Sequence, residues 1–165
     1  MATNPTVKFA KQTYKKCKVL FGVTVTFCLL WCLWFTVQTY NHLFTPGMTE
    51  WVRGYETLQK GFMVLYWCIP FAYLLICIAF FTNLLNGLKT GTIFNQKCVK
   101  YLYALGIVYF FSDILISNIY NWSIKVNYNE IVLNPSFVAV PIIIFVFAIL
   151  FQLACKVSED SALAI

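Results

Sequence analysis

The chain has 165 residues, of which 61% are apolar and only 11% are charged. A soluble domain contains about 45–50% apolar and about 25% charged residues, and one of this size cannot bury so large an apolar fraction. The composition therefore excludes a soluble globule, a disordered chain and a small disulfide-rich secreted fold. It predicts an integral membrane protein, and the length suits one membrane domain over residues 1–165.

Four stretches are long and apolar enough to cross a bilayer, which takes about 20 helical residues. They run over residues 19–40, 61–82, 99–120 and 137–155, and a basic tail, 1–18, precedes the first. None alternates with the period of two that a β-barrel strand shows. The first is expected to stay uncleaved because its apolar run is longer than that of a signal peptide. We therefore predict an all-α polytopic membrane protein, an antiparallel four-transmembrane-helix bundle.

Most of the positive charge lies on one side of these spans. The net charge is +6, and nine of the 12 lysines and arginines fall in the two tails and the loop between spans two and three. The other three, Arg53, Lys60 and Lys125, lie in the remaining loops. Because Lys and Arg are retained in the cytoplasm, we predict cytoplasmic termini and a multi-pass location in the cell (inner, cytoplasmic) membrane. Topology accounts for the charge, so the expected contact is the lipid bilayer and not nucleic acid.

The loops carry local patterns of their own. Apolar residues recur with helical spacing over residues 51–62, which predicts a short amphipathic helix in the first loop, with Thr49 as its N-cap. Strand-like alternation around residues 127–129 predicts a small hairpin in the third loop. Asn95 is expected to cap the helix of the third span.

No pattern in the chain indicates catalysis. The seven cysteines form no C-x-x-C motif and avoid the outer loops, so they are interpreted as small packing residues. His42 is the one histidine and cannot by itself form a paired metal or haem site. With no phosphate loop or metal-ligand spacing, we predict a non-enzymatic protein without catalytic residues, cofactor or metal.

Asp113 is the one acidic residue inside a span. An acid at that depth is costly, so it marks a candidate intramembrane polar site together with Ser117 and Asn118. Two interpretations stay open. In one, a small transporter or channel subunit, working as a homo-oligomer, uses Asp113 as a proton- or cation-responsive site. In the other, Asp113 forms an interhelical hydrogen bond that determines the helix register.

Two cytoplasmic segments resemble a known family. Residues 84–95 (LLNGLKTGTIFN) lead into 99–106 (VKYLYALG), and this is similar to the G-x-x-F loop before the third span of the bacterial four-span family Domain of Unknown Function 2975. Members often end in an acidic stretch and a short apolar close of the type D-L-T-I. The ending over 159–165 (EDSALAI) is similar, with Ala where Thr is usual and an inserted Ser-Ala.

The resemblance implies a fold of four spans and no established catalytic residues. Genes of the family frequently lie beside one for a helix-turn-helix transcription regulator, which implies a membrane regulator or sensor that binds such a cytoplasmic partner. Six residues are candidate contacts in the loop and the C-terminal tail: Gly91, Phe94, Glu159, Asp160, Leu163 and Ile165. An acidic spot suits a basic surface, and an apolar C-terminus suits capture in a groove. Two alternative interpretations involve no partner. Phe94 would cover the inner end of the bundle, and the C-terminal segment would be a solvated tail. A third function, an immunity or structural membrane interaction protein, also stays open.

Overall fold

The structure, a computed structural model, describes residues 5–90, 95–125 and 129–163, and the side chains of 12–90, 95–125 and 129–160. Its helices are α1 Pro5–Phe44, α2 Glu56–Thr90, α3 Gln96–Ile119 and α4 Ser136–Leu163, with a π-helical turn, Tyr120–Ile124, directly after α3. All four α-helices are long and apolar enough to cross a membrane. The described residues contain no strand. The prediction of an all-helical chain with four potential spans is confirmed.

The helices continue beyond the apolar spans that the sequence predicts. Helix α1 has 40 residues, which at 1.5 Å per residue is roughly 60 Å, against a bilayer core of about 30 Å. The basic tail is therefore a helical extension of the first span from Pro5 onward. Lysine and glutamine are good helix formers, and no glycine or proline interrupts α1 before Gly22.

The amphipathic helix predicted over residues 51–62 is wrong. Helix α2 begins only at Glu56 and then continues without a break. The preceding Gly54 has φ of +91°, a left-handed conformation that glycine adopts readily and that interrupts a helix. Thr49 does not cap a helix. It is buried, and its Oγ1 lies 3.1 Å from Nδ1 of His42.

The third loop starts with the π-helical turn, which the backbone N–H of Lys125 closes by donating to the carbonyl of Tyr120 at 3.0 Å. The predicted hairpin centres on residues 127–129, of which 127 and 128 lie outside the described residues. Residues 129–135 form no strand. The predicted cap of α3 is confirmed, since Oδ1 of Asn95 accepts from the backbone N–H of Lys97 at 2.8 Å.

Contacts between helices follow chain order. Close backbone contacts join α1 with α2, α2 with α3, and α3 with α4, whereas the described residues of α1 make none with α3 or α4. Phe21 of α1 stacks on Phe81 of α2, whereas Phe35, farther along α1, stacks on Tyr66, which comes earlier in α2. The two helices therefore run in opposite directions. We call the end where α1 begins and α2 ends the tail end. The opposite end, with loops 45–55 and 125–135, is the loop end.

Small residues bring α3 and α4 close together. Gly106 lies beneath the ring of Phe145, and a Cβ added to this glycine would lie 2.5 Å from Cε1 of that ring. Cys98, Ala148 and Cys155 are fully buried. Small side chains allow transmembrane helices to approach closely. All seven cysteines lie in described residues and are free thiols. Cys98 and Cys155 pack between the helices as small apolar side chains.

Candidate functional site

The three residues of the predicted intramembrane polar site all bind the segment that leads into α4. The Ser136 hydroxyl donates to the Asp113 carboxylate, at 3.4 Å from each oxygen. The amide of Asn134 donates to the Ser117 hydroxyl at 2.6 Å. The third residue, Asn118, reaches the backbone of the same segment.

Asn118 is fully buried, and its carboxamide is fully used. Its Nδ2 donates to the carbonyls of Ile114 and Val132, each at 2.8 Å. Its Oδ1 accepts from the backbone N–H of Val132 at 2.6 Å. We call these three contacts, Asp113–Ser136, Ser117–Asn134 and Asn118–Val132, the α3–α4 ladder.

The ladder determines where α4 begins relative to α3. Asp113 lies beside the first residue of α4, where unpaired N–H groups and the positive end of the helix dipole favour a carboxylate. A hydroxyl pair ties α3 to α2 at a similar depth, because Tyr73 Oη lies 2.9 Å from Ser112 Oγ. Ser112 Oγ donates to the carbonyl of Tyr109 at 3.0 Å, so the proton between the two hydroxyls belongs to Tyr73. These polar groups have partners within the chain, as a register interaction requires.

Gln59 performs a comparable task that the sequence did not predict. It is fully buried near the start of α2. Its Nε2 donates to the carbonyls of Glu50 at 3.1 Å and Ser123 at 2.7 Å, and its Oε1 accepts from the N–H of Val52 at 3.0 Å. One carboxamide therefore holds the first loop against the π-helical turn. Its only signal in the sequence is an uncharged polar residue close to an apolar span.

A groove of about 530 Å³ lies at the tail end, between the start of α3 and the end of α4. It is lined by polar and apolar side chains of both helices: Gln96, Ile149, Gln152, Leu153, Lys156, Glu159 and Asp160. The hydroxyl of Tyr103 donates to Oε1 of Gln152 at 3.4 Å, which orients that side chain. We call this the tail-end groove.

Two of the predicted partner contacts, Glu159 and Asp160, line the tail-end groove and are exposed. Gly91 and Phe94 lie outside the described residues, but Gln96, which follows them closely, lines the same groove. The structure thus brings the edge of the predicted loop segment next to the acidic part of the C-terminal segment.

The remaining two predicted contacts lie at the end of the chain. Leu163 is the last residue of α4, with its side chain outside the described part, and Ile165 lies wholly outside it. The backbone through residue 163 is helical, and Glu159 and Asp160 are exposed to solvent, so the solvated tail stays open as the alternative interpretation.

The described residues hold no cluster of His, Cys, Asp or Glu that suits a metal ion. Comparison of the chain with protein-family models, with curated proteins and with solved structures gives no match. The family resemblance of the loop and tail stays a prediction.

Proposed function

We propose that this protein is a non-enzymatic regulator or sensor of the cell membrane, with both termini in the cytoplasm and its four helices in an antiparallel bundle. Its tail-end groove binds a cytoplasmic partner, such as a helix-turn-helix transcription regulator. The charge distribution supports this orientation, because nine of the 12 basic residues belong to the two tails and the middle loop.

The observation that carries the proposal is the tail-end groove itself. Residues far apart in sequence, Gln96 at the start of α3 and Glu159 and Asp160 near the end of α4, line one concave surface. Gln96, Lys156, Glu159 and Asp160 lie beyond the apolar spans over 99–120 and 137–155, so a cytoplasmic protein has access to this part of the groove under the proposed orientation. The rest of its lining belongs to the last turns of the fourth span. Its volume is within the range of about 300–1,000 Å³ typical of ligand pockets, which suits an inserted side chain or chain end of a partner.

The charge of the groove indicates a basic partner. Glu159 and Asp160 are adjacent acids in the last turns of α4, where the unpaired carbonyls and the negative end of the helix dipole add to their potential. Lys156 is the one basic residue that lines the groove. DNA-binding domains present a basic surface. A regulator held by that surface would be kept from DNA, which connects membrane capture to transcription.

A photocrosslinking amino acid at Gln152 tests the proposal in living cells. We expect a covalent adduct with one basic cytoplasmic protein, and we expect the double variant E159K/D160K to lose this adduct because both charges are reversed. The same crosslinker at Leu133, an exposed residue of the loop end, is the matched control and should give no such adduct.

Two results would contradict the proposal. One is an adduct at Gln152 that forms in E159K/D160K with the same yield as in the parent protein. The other is an adduct of the same partner with the crosslinker at Leu133. Orientation is measured separately, with a reporter active only in the cytoplasm fused after Ile165. An inactive reporter on an inserted protein would place the tail-end groove outside the cell and remove the cytoplasmic partner.

The alternative of a transporter or channel around Asp113 is less well supported by the geometry. The Asp113 carboxylate accepts from Ser136 and lies beside the N-terminus of α4, an arrangement that a structural role explains. An immunity or structural membrane protein would bind its partner through lipid-facing surfaces. It would be insensitive to changes at both Asp113 and the tail-end groove.

A further inference from the structure

A second cavity lies at the loop end and has a clear geometric cause. Helices α1 and α3 both pack on α2, but their described residues make no close backbone contact with each other. The gap between them is a cavity of about 370 Å³, within the range of about 300–1,000 Å³ for ligand pockets. Four elements line this loop-end cavity: Trp34, Gln38 and His42 of α1, Met63 and Tyr66 of α2, Ile119 of α3, and Tyr120 and Ile124 of the π-helical turn.

Contacts outside the cavity hold its walls in place. The bond from Gln59 to the carbonyl of Ser123, at 2.7 Å, ties the π-helical turn to α2. The rings of Phe62 and Trp122 pack at 5.3 Å between centroids and add to this tie. The Tyr66 ring stacks on Phe35 at 4.3 Å. π-helical turns within helices are frequent at functional sites, and here the turn that continues α3 forms one wall of the cavity.

The cavity holds polar groups that the protein does not use. Within the described part of the chain, the carboxamide of Gln38 and the hydroxyl of Tyr66 make no hydrogen bond. His42 bonds there through Nδ1 alone, 3.1 Å from the Thr49 hydroxyl. When that hydroxyl donates to Nδ1, the imidazole proton is on Nε2, which leaves a free donor. Gln38 and His42 are four residues apart and so lie on one face of α1.

The lining also narrows the chemistry of a ligand. No Asp or Glu is among the lining residues. The Lys125 ammonium lies 5.0 Å above the ring of Tyr120, so this ring already has a cation on one face. Both features disfavour a cationic ligand. Three aromatic rings, of Trp34, Tyr66 and Tyr120, favour a flat ring that packs against them.

We propose that the loop-end cavity binds the headgroup of a lipid-soluble quinone. The flat ring packs against the aromatic walls, and its carbonyl oxygens accept hydrogen bonds from the Gln38 amide and His42 Nε2. Trp34 is 61% and Tyr120 is 53% exposed, so the rim is open on the side away from α2, where a hydrocarbon tail leaves into lipid. This site is independent of the tail-end groove and of the proposed function.

Photolabelling of the full chain in phosphatidylcholine nanodiscs tests the proposal. The probe is an azido-benzoquinone with a decyl chain, its sites are mapped by mass spectrometry, and unlabelled decyl-benzoquinone competes to give a Kd. We expect saturable labelling within residues 34–42 and 119–124. In Gln38→Leu and in His42→Leu, loss of one hydrogen bond should weaken binding about tenfold.

Gln12→Leu is the matched control, an exposed glutamine at the tail end of the same helix, and should leave the Kd unchanged. Gln38→Leu removes no hydrogen bond within the described chain, so its fold is expected to be retained. Labelling outside the cavity, or a Kd in both cavity variants equal to that of the parent protein, would overturn the proposal. Competition by decanol as effective as that by decyl-benzoquinone would also overturn it, because it would show that the cavity binds only the alkyl tail. Equally effective competition by decyltrimethylammonium would indicate a cation site instead.

Discussion

The side chain of Asn118 binds both backbone groups of Val132, accepting from its N–H at 2.6 Å and donating to its carbonyl at 2.8 Å. Asn118 lies near the end of α3 and Val132 lies in the third loop, four residues before α4 begins. This pair therefore holds the end of the loop against α3. Together with Asp113–Ser136 and Ser117–Asn134, it places the start of α4 at a defined height on α3.

Asn118→Ala should lower the free energy of unfolding by about 1–3 kcal/mol, the usual cost of leaving a buried polar group unpaired. The loss is measured by thermal or denaturant unfolding in detergent micelles. Asn86→Ala, at an exposed position of α2, is the control and should change stability by less than about 0.5 kcal/mol. Equal stability of the two variants would show that the Asn118 contacts are dispensable.

Gln59→Leu should release the first loop from the π-helical turn, because the Gln59 carboxamide bonds Glu50 and Val52 of that loop and Ser123 of the turn. Arg53 lies within that loop, so trypsin cleavage after it reports the release. We expect faster cleavage there than in the parent protein. Gln12→Leu is the control. An unchanged cleavage rate in Gln59→Leu would mean that other contacts hold the loop.

Gly106→Leu should separate α3 from α4, since a Cβ at this position already lies 2.5 Å from the Phe145 ring. Overpacking of this kind costs about 1–3 kcal/mol. Gly22→Leu is a closely matched control, because a Cβ there has nothing within 4 Å. Unfolding of the single variants and of Gly106→Leu with Phe145→Ala forms a double-mutant cycle. A coupling energy of zero would contradict the proposed contact.

Asp113→Asn should leave the protein folded, with a loss of about 0.3–1 kcal/mol from the missing charge at the N-terminus of α4. The Asn oxygen still accepts from Ser136, whereas Asp113→Leu removes that bond and should be the less stable variant. Proton flux into liposomes is measured on the same samples. Flux in the parent that disappears in a folded Asp113→Asn would favour the transport alternative.

Local sequence patterns predicted the structure correctly where a single side chain determines a local feature, such as the start of a helix. The cap at Asn95 is such a case, because its side chain bonds a backbone group two residues away. The helical spacing over residues 51–62 failed because periodicity describes a face and not the residue where a helix begins. Gly54, with its positive φ, and the loop contacts of Gln59 determine that start.

Amino-acid composition and order alone determined that the chain has four helices able to span a membrane, because the transfer of each side chain into a bilayer depends mainly on its own chemistry. Tertiary structure decided which partners the polar residues have. Asp113 could be recognised as exceptional from the sequence, but Ser136, at the start of α4, became its partner only through the packing of α3 against α4. The tail-end groove and the loop-end cavity have the same origin. They depend on which helices touch and which stay apart, and that is settled by the packing of distant side chains.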